Sequence, residues 1–261
     1  FSPVFRHARV MAENSFGKAG SAASPTVHCM VLGHHGLLKG CKLPRPPKAP
    51  LTCALPIEIE STKYGTNAMQ ARRFALGPVS FCLQEDGGLQ LLEIAGYSGA
   101  AFADWNRRLF SFRCDGRSLD GRDIVCKDVL REGDMLRFRM EAGDSLEILS
   151  EWRHDPETGV ISRRDRLRNT GTSCRTLERY FAEFPLLAGE YDGYWQRSLW
   201  CSENCGSWQS LSHAGDVVLS AISGRVSEGN TPFLALRDNY AANAMAFHLV
   251  PCGNWNIRIR Q

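Results

Sequence analysis

MLRFRMEAGDSLEILSEWRHDPETGVISRRDRLRN (135–169) decides the fold class. Leu136, Phe138 and Met140 alternate with Arg137 and Arg139, and Leu146, Ile148 and Trp152 oppose Glu147 and Glu151. A repeat of two is that of a strand with one face buried. Asp155-Pro156-Glu157-Thr158-Gly159 reads as a turn, and Asn169-Thr170-Gly171 as the next, with a strand from Val160 to about Arg168 between them. Arg163, Arg164, Asp165, Arg166 and Arg168 split between the two faces of that strand. The run reads as a solvated sheet face, with an anion site as the alternative.

The same texture extends outward. From about residue 73, alternating stretches are broken by turn residues every 8–12 positions. Further strands are expected over Arg175 to Phe184, Val217 to Ile222, Pro232 to Arg237, Ala244 to Val250 and Trp255 to Arg260. Asp115-Gly116-Arg117 and Asp120-Gly121-Arg122-Asp123 fit Asp-Gly turns around a short strand better than a calcium loop, which has no place for the arginines. No long amphipathic helix is visible after residue 73. Ten or more strands point to an all-β protein with two large stacked antiparallel sheets.

Composition agrees. At 43% hydrophobic and 23% charged, the 261 residues can build a core, and no apolar run approaches the ~18 residues of a spanning helix. A net charge of +3 gives no reason to expect nucleic acid or an anionic membrane as partner. Residues 1–60 differ from the rest: seven Lys/Arg against three acids, no steady periodicity, and a Pro-rich tail at Pro44 to Pro50. They are expected to be a low-order leader or linker, native or foreign to a domain at 73–261, and to add little to folding. Cys29, His34, His35 and Cys41 have no usual zinc spacing, so no metal is assigned. The opening residues Phe1 to Gly20 show no signal-peptide pattern, and a chain that starts at Phe is expected to lack its true start. The compartment stays open. The ten cysteines are expected to be mostly free buried thiols, with disulfides as the alternative.

The stretch richest in chemistry is YDGYWQRSLWCSENCGSW (191–208), read as a long loop. Trp195, Trp200, Glu203, Asn204 and Trp208 are its candidate site residues, beside Tyr191, Tyr194, Asp192 and Arg197. Aromatic faces stack on sugar rings while carboxylates and amides bond hydroxyls. The same aromatics equally suit a loop pinned to its own sandwich or to a neighbouring domain. Cys201 and Cys205 lack a nearby activating His, and no catalytic thiol is assigned.

The order of segments carries a resemblance. ISRRDRLRNTG (161–171) resembles a strand and turn of a galactose-mutarotase-like supersandwich. It is followed by LERYFAEFPLLAGEYD (177–192), RSLWCSENCGSWQSL (197–211), SGRVSEGNTPFLALRD (223–238) and MAFHLVPCGNWNIRIRQ (245–261). The series is similar to the amino-terminal domain of glycoside hydrolase family 36, the α-galactosidases, over about residues 73–261. The resemblance implies a non-catalytic domain that shapes the active-site rim and supports homo-oligomer contacts. A later (β/α) barrel would carry the two catalytic Asp and take α-galactosides. On that reading the chain is truncated before the barrel, holds no catalytic residue, needs no cofactor and turns over no galactoside alone. The Trp200–Trp208 loop would face the barrel. Ala103 to Asp123 is short where the family carries a long insertion, which argues against substrate contact from there. Two alternatives remain: a free-standing carbohydrate-binding sandwich, and an aldose-epimerase-type enzyme using His154 or His248.

Overall fold

A computed structural model describes residues 8–15, 29–31, 71–94, 97–98, 109–186, 190–199, 201–211, 216–221, 229–239, 244–250 and 254–260. These residues hold strands and no helix. In chain order the strands are β1 (Ala8–Ser15), β2 (Cys29–Val31), β3 (Arg72–Leu76), β4 (Val79–Leu83), β5 (Leu89–Ile94), β6 (Tyr97–Ser98) and β7 (Phe110–Cys114). Next come β8 (Arg117–Asp120), β9 (Ile124–Glu132), β10 (Met135–Ala142), β11 (Leu146–Asp155), β12 (Val160–Asn169), β13 (Leu177–Leu186) and β14 (Tyr191–Leu199). The last are β15 (Ser202–Ser210), β16 (Val217–Ala221), β17 (Gly229–Asn230), β18 (Phe233–Asp238), β19 (Ala244–Leu249) and β20 (Asn254–Arg260).

All described pairings are antiparallel. A ten-stranded sheet runs β15-β14-β18-β19-β2-β12-β11-β10-β9 with β17 attached to β14, a six-stranded sheet runs β16-β20-β1-β13-β7-β8, and β3 to β6 form a third. The inner faces meet through rings. Phe81 of β4 lies 5.0 Å from both Phe138 and Trp152 of the large sheet. Trp152 in turn lies 5.9 Å from Phe184 of β13, which contacts Phe247 of β19 at 5.4 Å. Three sheets therefore share one core at Trp152. Each such buried ring stabilises the fold by roughly 1.5–3 kcal/mol. The all-β stacked-sheet expectation holds, as does the alternation of β10, which buries Leu136, Phe138 and Met140. The Asp115-Gly116 turn is a two-residue hairpin with φ of 49° and 77°, the left-handed pair that a type I′ turn requires.

Four expectations change. First, Arg163 and Asp165 are fully buried, so only the other half of the charge run is a solvated face. Strand parity turns them to the Trp152 side, where hydrogen bonds compensate their desolvation. Arg163 Nε donates to Asp165 Oδ2 at 2.9 Å, and its Nη groups donate to the carbonyls of Glu183 (3.2 Å) and Leu109 (2.8 Å). Asp165 also accepts from Ser150 Oγ (2.5 Å) and Tyr180 OH (2.7 Å). The guanidinium stacks on Phe110, 4.4 Å from the ring centre.

Second, the leader is not wholly separate. Residues 8–15 pair on both sides, with β13 and β20, and 29–31 join β12 to β19. Without them each sheet would have a gap of unsatisfied backbone groups. Third, Tyr191 to Trp208 is a hairpin, not a loop: β14 pairs β15, reversing around Cys201 at φ 60°. Fourth, the thiols described are free, but only Cys82, Cys114 and Cys126 are buried, whereas Cys174, Cys201 and Cys205 are exposed. His34, His35 and Cys41 lie outside the described residues, and among the described residues no cluster of His, Cys, Asp or Glu could hold a metal ion.

Candidate functional site

β14 alternates. Tyr191, Gly193 and Trp195 face inward; Asp192, Tyr194 and Gln196 face outward. Trp195 retains 8% of its surface and belongs to the core cluster. Gly193 is needed beside it, because a Cβ there would stand 2.9 Å from the Trp195 ring. Register sets Tyr194 opposite Trp208 on the neighbouring edge strand, and Trp208 is 45% exposed. The hairpin thus separates two tryptophans that the sequence had grouped.

Around Trp208 the outer face is organised. Tyr194 lies 5.5 Å from it at 49°, and Phe233 of β18 meets Tyr194 edge-on at 6.5 Å. Gly206 leaves room for the Tyr194 ring, since a Cβ there would sit 2.3 Å from its hydroxyl. Gln196 Nε2 donates to that hydroxyl at 3.2 Å. Arg237 lies 4.8 Å over the Trp208 ring and donates to Asp192 Oδ2 at 2.6 Å. Asn239 Nδ2 donates to Asp192 Oδ1 at 3.2 Å. The Arg237 and Asn239 hydrogen bonds hold the Asp192 carboxyl below the usual carboxylate range. Both its oxygens are engaged, so Asp192 orients Arg237 and has no proton to give at neutral pH. The result is an aromatic platform with a fixed cation, suited to stacking and contact.

Of the candidate residues whose side chains are described, Trp208 stands on this platform and Trp195 does not. Trp200 lies outside the described residues. Glu203 and Asn204 lie on β15, and their side chains are outside the described residues. Arg237 and Asn239 were not among the candidates: their approach depends on β18 pairing β14 with Arg237 opposite Asp192. No local signal in either segment gives that register.

The two histidines do not form an acid–base pair. His154, Ile161, Val31 and Phe247 occupy one row across β11, β12, β2 and β19. His248 is one residue past that row, on the opposite face, and three strand spacings separate the strands by about 14 Å. The His154 ring packs on the Gly77 turn, where a Cβ would stand 2.5 Å away.

The chain matches no protein-family model. No curated protein matches it either. Among solved structures it is similar to the GH36 α-galactosidase AgaA from Geobacillus stearothermophilus, solved with raffinose: TM-score 0.51, 14% identity, covering 73% of this chain and 37% of that one. AgaB from the same organism gives a TM-score of 0.47 at 14% identity, over 74% of this chain and 41% of that one. The α-galactosidase from Lactobacillus brevis gives 0.46 at 11%, over 72% and 36%. The first likeness shows the fold: most of this chain has the architecture of the β domain of that enzyme. The chain spans less than two fifths of that enzyme's length.

Proposed function

We propose that the chain serves as the β-supersandwich domain of an α-galactosidase-like glycoside hydrolase. A (β/α) barrel supplies the catalysis, and the outer face of the β14–β15 hairpin is the contact that this barrel covers. The observation that carries the reading is Trp208, a half-exposed ring on an edge strand whose described side chains are all exposed. Covering a ring of this size stabilises by roughly 1.5–3 kcal/mol. Arg237, held by Asp192, offers a fixed cation to acidic or aromatic groups across the contact.

In this reading the division of labour is physical. Retaining hydrolysis needs two carboxylates about 5–5.5 Å apart across the scissile bond, and both belong to the barrel. The sandwich contributes a rigid rim, and substrates are α-galactosides of the whole enzyme. β15, an edge strand among the described residues, is also where a second copy would support a homo-oligomer.

Coding sequence past the Gln261 codon tests the first half of the proposal. A barrel with two well-placed acidic residues supports it; an immediate stop codon overturns it. The second half is read by co-expressing that barrel with this chain, where Trp208→Ser should abolish co-purification. Trp208 beside Tyr194 and Arg237 also favours a second reading, a free-standing sugar-binding sandwich. Saturable quenching of tryptophan emission by galactose in this chain, lost in Trp208→Ser, would select it.

A further inference from the structure

The outer face of β10, β11 and β12 lies away from the Trp208 platform. Register places Arg137, Glu151 and Arg164 in one row across these strands, and Arg139, Leu149 and Arg166 in the next. Adjacent strands are ~4.8 Å apart, so side chains of one row reach each other. In the first row Glu151 stands between two arginines. Arg137 Nη2 donates to its Oε2 at 3.1 Å, and Arg153 Nε donates to its Oε1 at 2.9 Å. Partial burial pushes the Glu151 carboxyl up, but the Arg153 and Arg137 hydrogen bonds outweigh it, so its pKa is lowered and it stays ionised.

In the second row no carboxylate stands between the two arginines. Leu149 separates Arg139, which lies opposite Asp128 of β9, from Arg166. Arg166 makes no ion pair among the described residues. Leu149 is shorter than its neighbours and leaves a hollow of about 200 Å³, lined by Arg137, Leu149, Glu151, Arg164 and Arg166. Three guanidinium groups and one carboxylate line it.

We infer that this hollow is an oxyanion site for a phosphate group, free or carried by a small molecule, with Arg164, Arg166 and Arg137 as its ligands. Tetrahedral phosphate oxygens can accept from guanidinium forks that approach from two strands, Arg137 on β10 and Arg164 and Arg166 on β12. A carboxylate offers only two oxygens in one plane and reaches fewer of the three guanidinium groups. The volume lies below the roughly 300–1,000 Å³ of pockets for drug-sized ligands, so a phosphate or a terminal phosphoryl group fits and a bulky ligand does not. Glu151 acts as a positioning residue that fixes Arg137. The site is independent of the proposed galactosidase role, and neither stands or falls with the other.

Isothermal titration of the full chain with inorganic phosphate, at constant ionic strength against chloride, tests the site. Saturable binding is expected. It should strengthen from about pH 6 to 8 as inorganic phosphate becomes the dianion around pH 7, whereas a phosphate ester is already the dianion above about pH 6. Arg166→Gln and Arg164→Gln should each weaken binding by roughly tenfold or more, the loss of one charge-assisted hydrogen bond. Arg131→Gln, an exposed position of β9 outside the hollow, should change nothing. A parallel titration with glucose 6-phosphate identifies the source. Tighter binding than phosphate assigns a phosphorylated sugar, and equal binding assigns phosphate itself. Absence of saturable binding of both ligands, or unchanged affinity in a normally folded Arg164→Gln/Arg166→Gln double variant, overturns the proposal.

Discussion

Replacing Asp165 by Asn changes one buried atom type and tests the centre of the molecule. In the native chain every polar neighbour donates to this carboxylate: Arg163 Nε, Ser150 Oγ and Tyr180 OH. Two of those neighbours are hydroxyls that can rotate; the guanidinium cannot accept. Asn would therefore remove the counter-charge that Asp165 holds against the fully buried Arg163. Breaking a buried pair from one side costs about 3–5 kcal/mol. For a domain of this size that is a fall in Tm of about 6–20 °C, at about 2–4 °C per kcal/mol. Thermal and urea melts followed by far-UV circular dichroism read the loss. Arg163→Met combined with Asp165→Leu should cost less than the sum of these two single variants, because both halves of the pair are then removed together. A Tm for Asp165→Asn within about 2 °C of the parent, or full additivity, would refute the account.

Burial, then the charge of Asp165, holds the Tyr180 hydroxyl well above 10. The folded state therefore keeps a proton that the unfolded chain loses, and stability should fall as pH rises above 10; Tyr180→Phe should flatten that alkaline decline in a pH series of urea melts. Trp195→Ala should cost about 3–5 kcal/mol in urea unfolding, whereas Trp208→Ser should leave the fold within about 1 kcal/mol and reduce self-association in sedimentation. Gly77 has φ of 54° and faces the His154 ring, so Gly77→Ala should destabilise by roughly 1–3 kcal/mol, only part of it relieved by adding His154→Ala. Deleting residues 1–60 should lower Tm by about 10 °C or more, since β1 and β2 leave the interior of both large sheets; a melt within about 2 °C would show that those pairings are dispensable.

Much of the architecture is legible along the chain because period-two alternation is a local signal. β10 and β20 could be read to within two residues at either end, since each places apolar side chains on one face only. β12 misleads on its inner face. A strand carrying Arg163 and Asp165 inward has the same charge pattern as a solvated one, and only the partners on β11, β13 and before β7 tell them apart. The β14–β15 hairpin is hidden for a different reason. Trp195 and Trp208 have the same composition and opposite environments, and the reversal between them passes through Cys201 rather than Gly or Asn. The platform at Trp208 depends on the cross-strand register that sets Arg237 beside Asp192, a non-local fact. β1 and β2 stand among residues with no steady repeat, and their pairing is decided by strands more than a hundred residues away.

β1 also sets a timetable for synthesis. It lies between β13 and β20, with Arg9 opposite both Pro185 and Arg260. At roughly 5–20 residues per second, a ribosome needs about 10–50 s after making Arg9 before its second partner exists. During that interval the first strand has at least one open edge, the kind of surface that recruits foreign chains or holding chaperones. Such long-range pairing also gives the domain a high contact order, so its last closure should be slow even once the whole polypeptide is free.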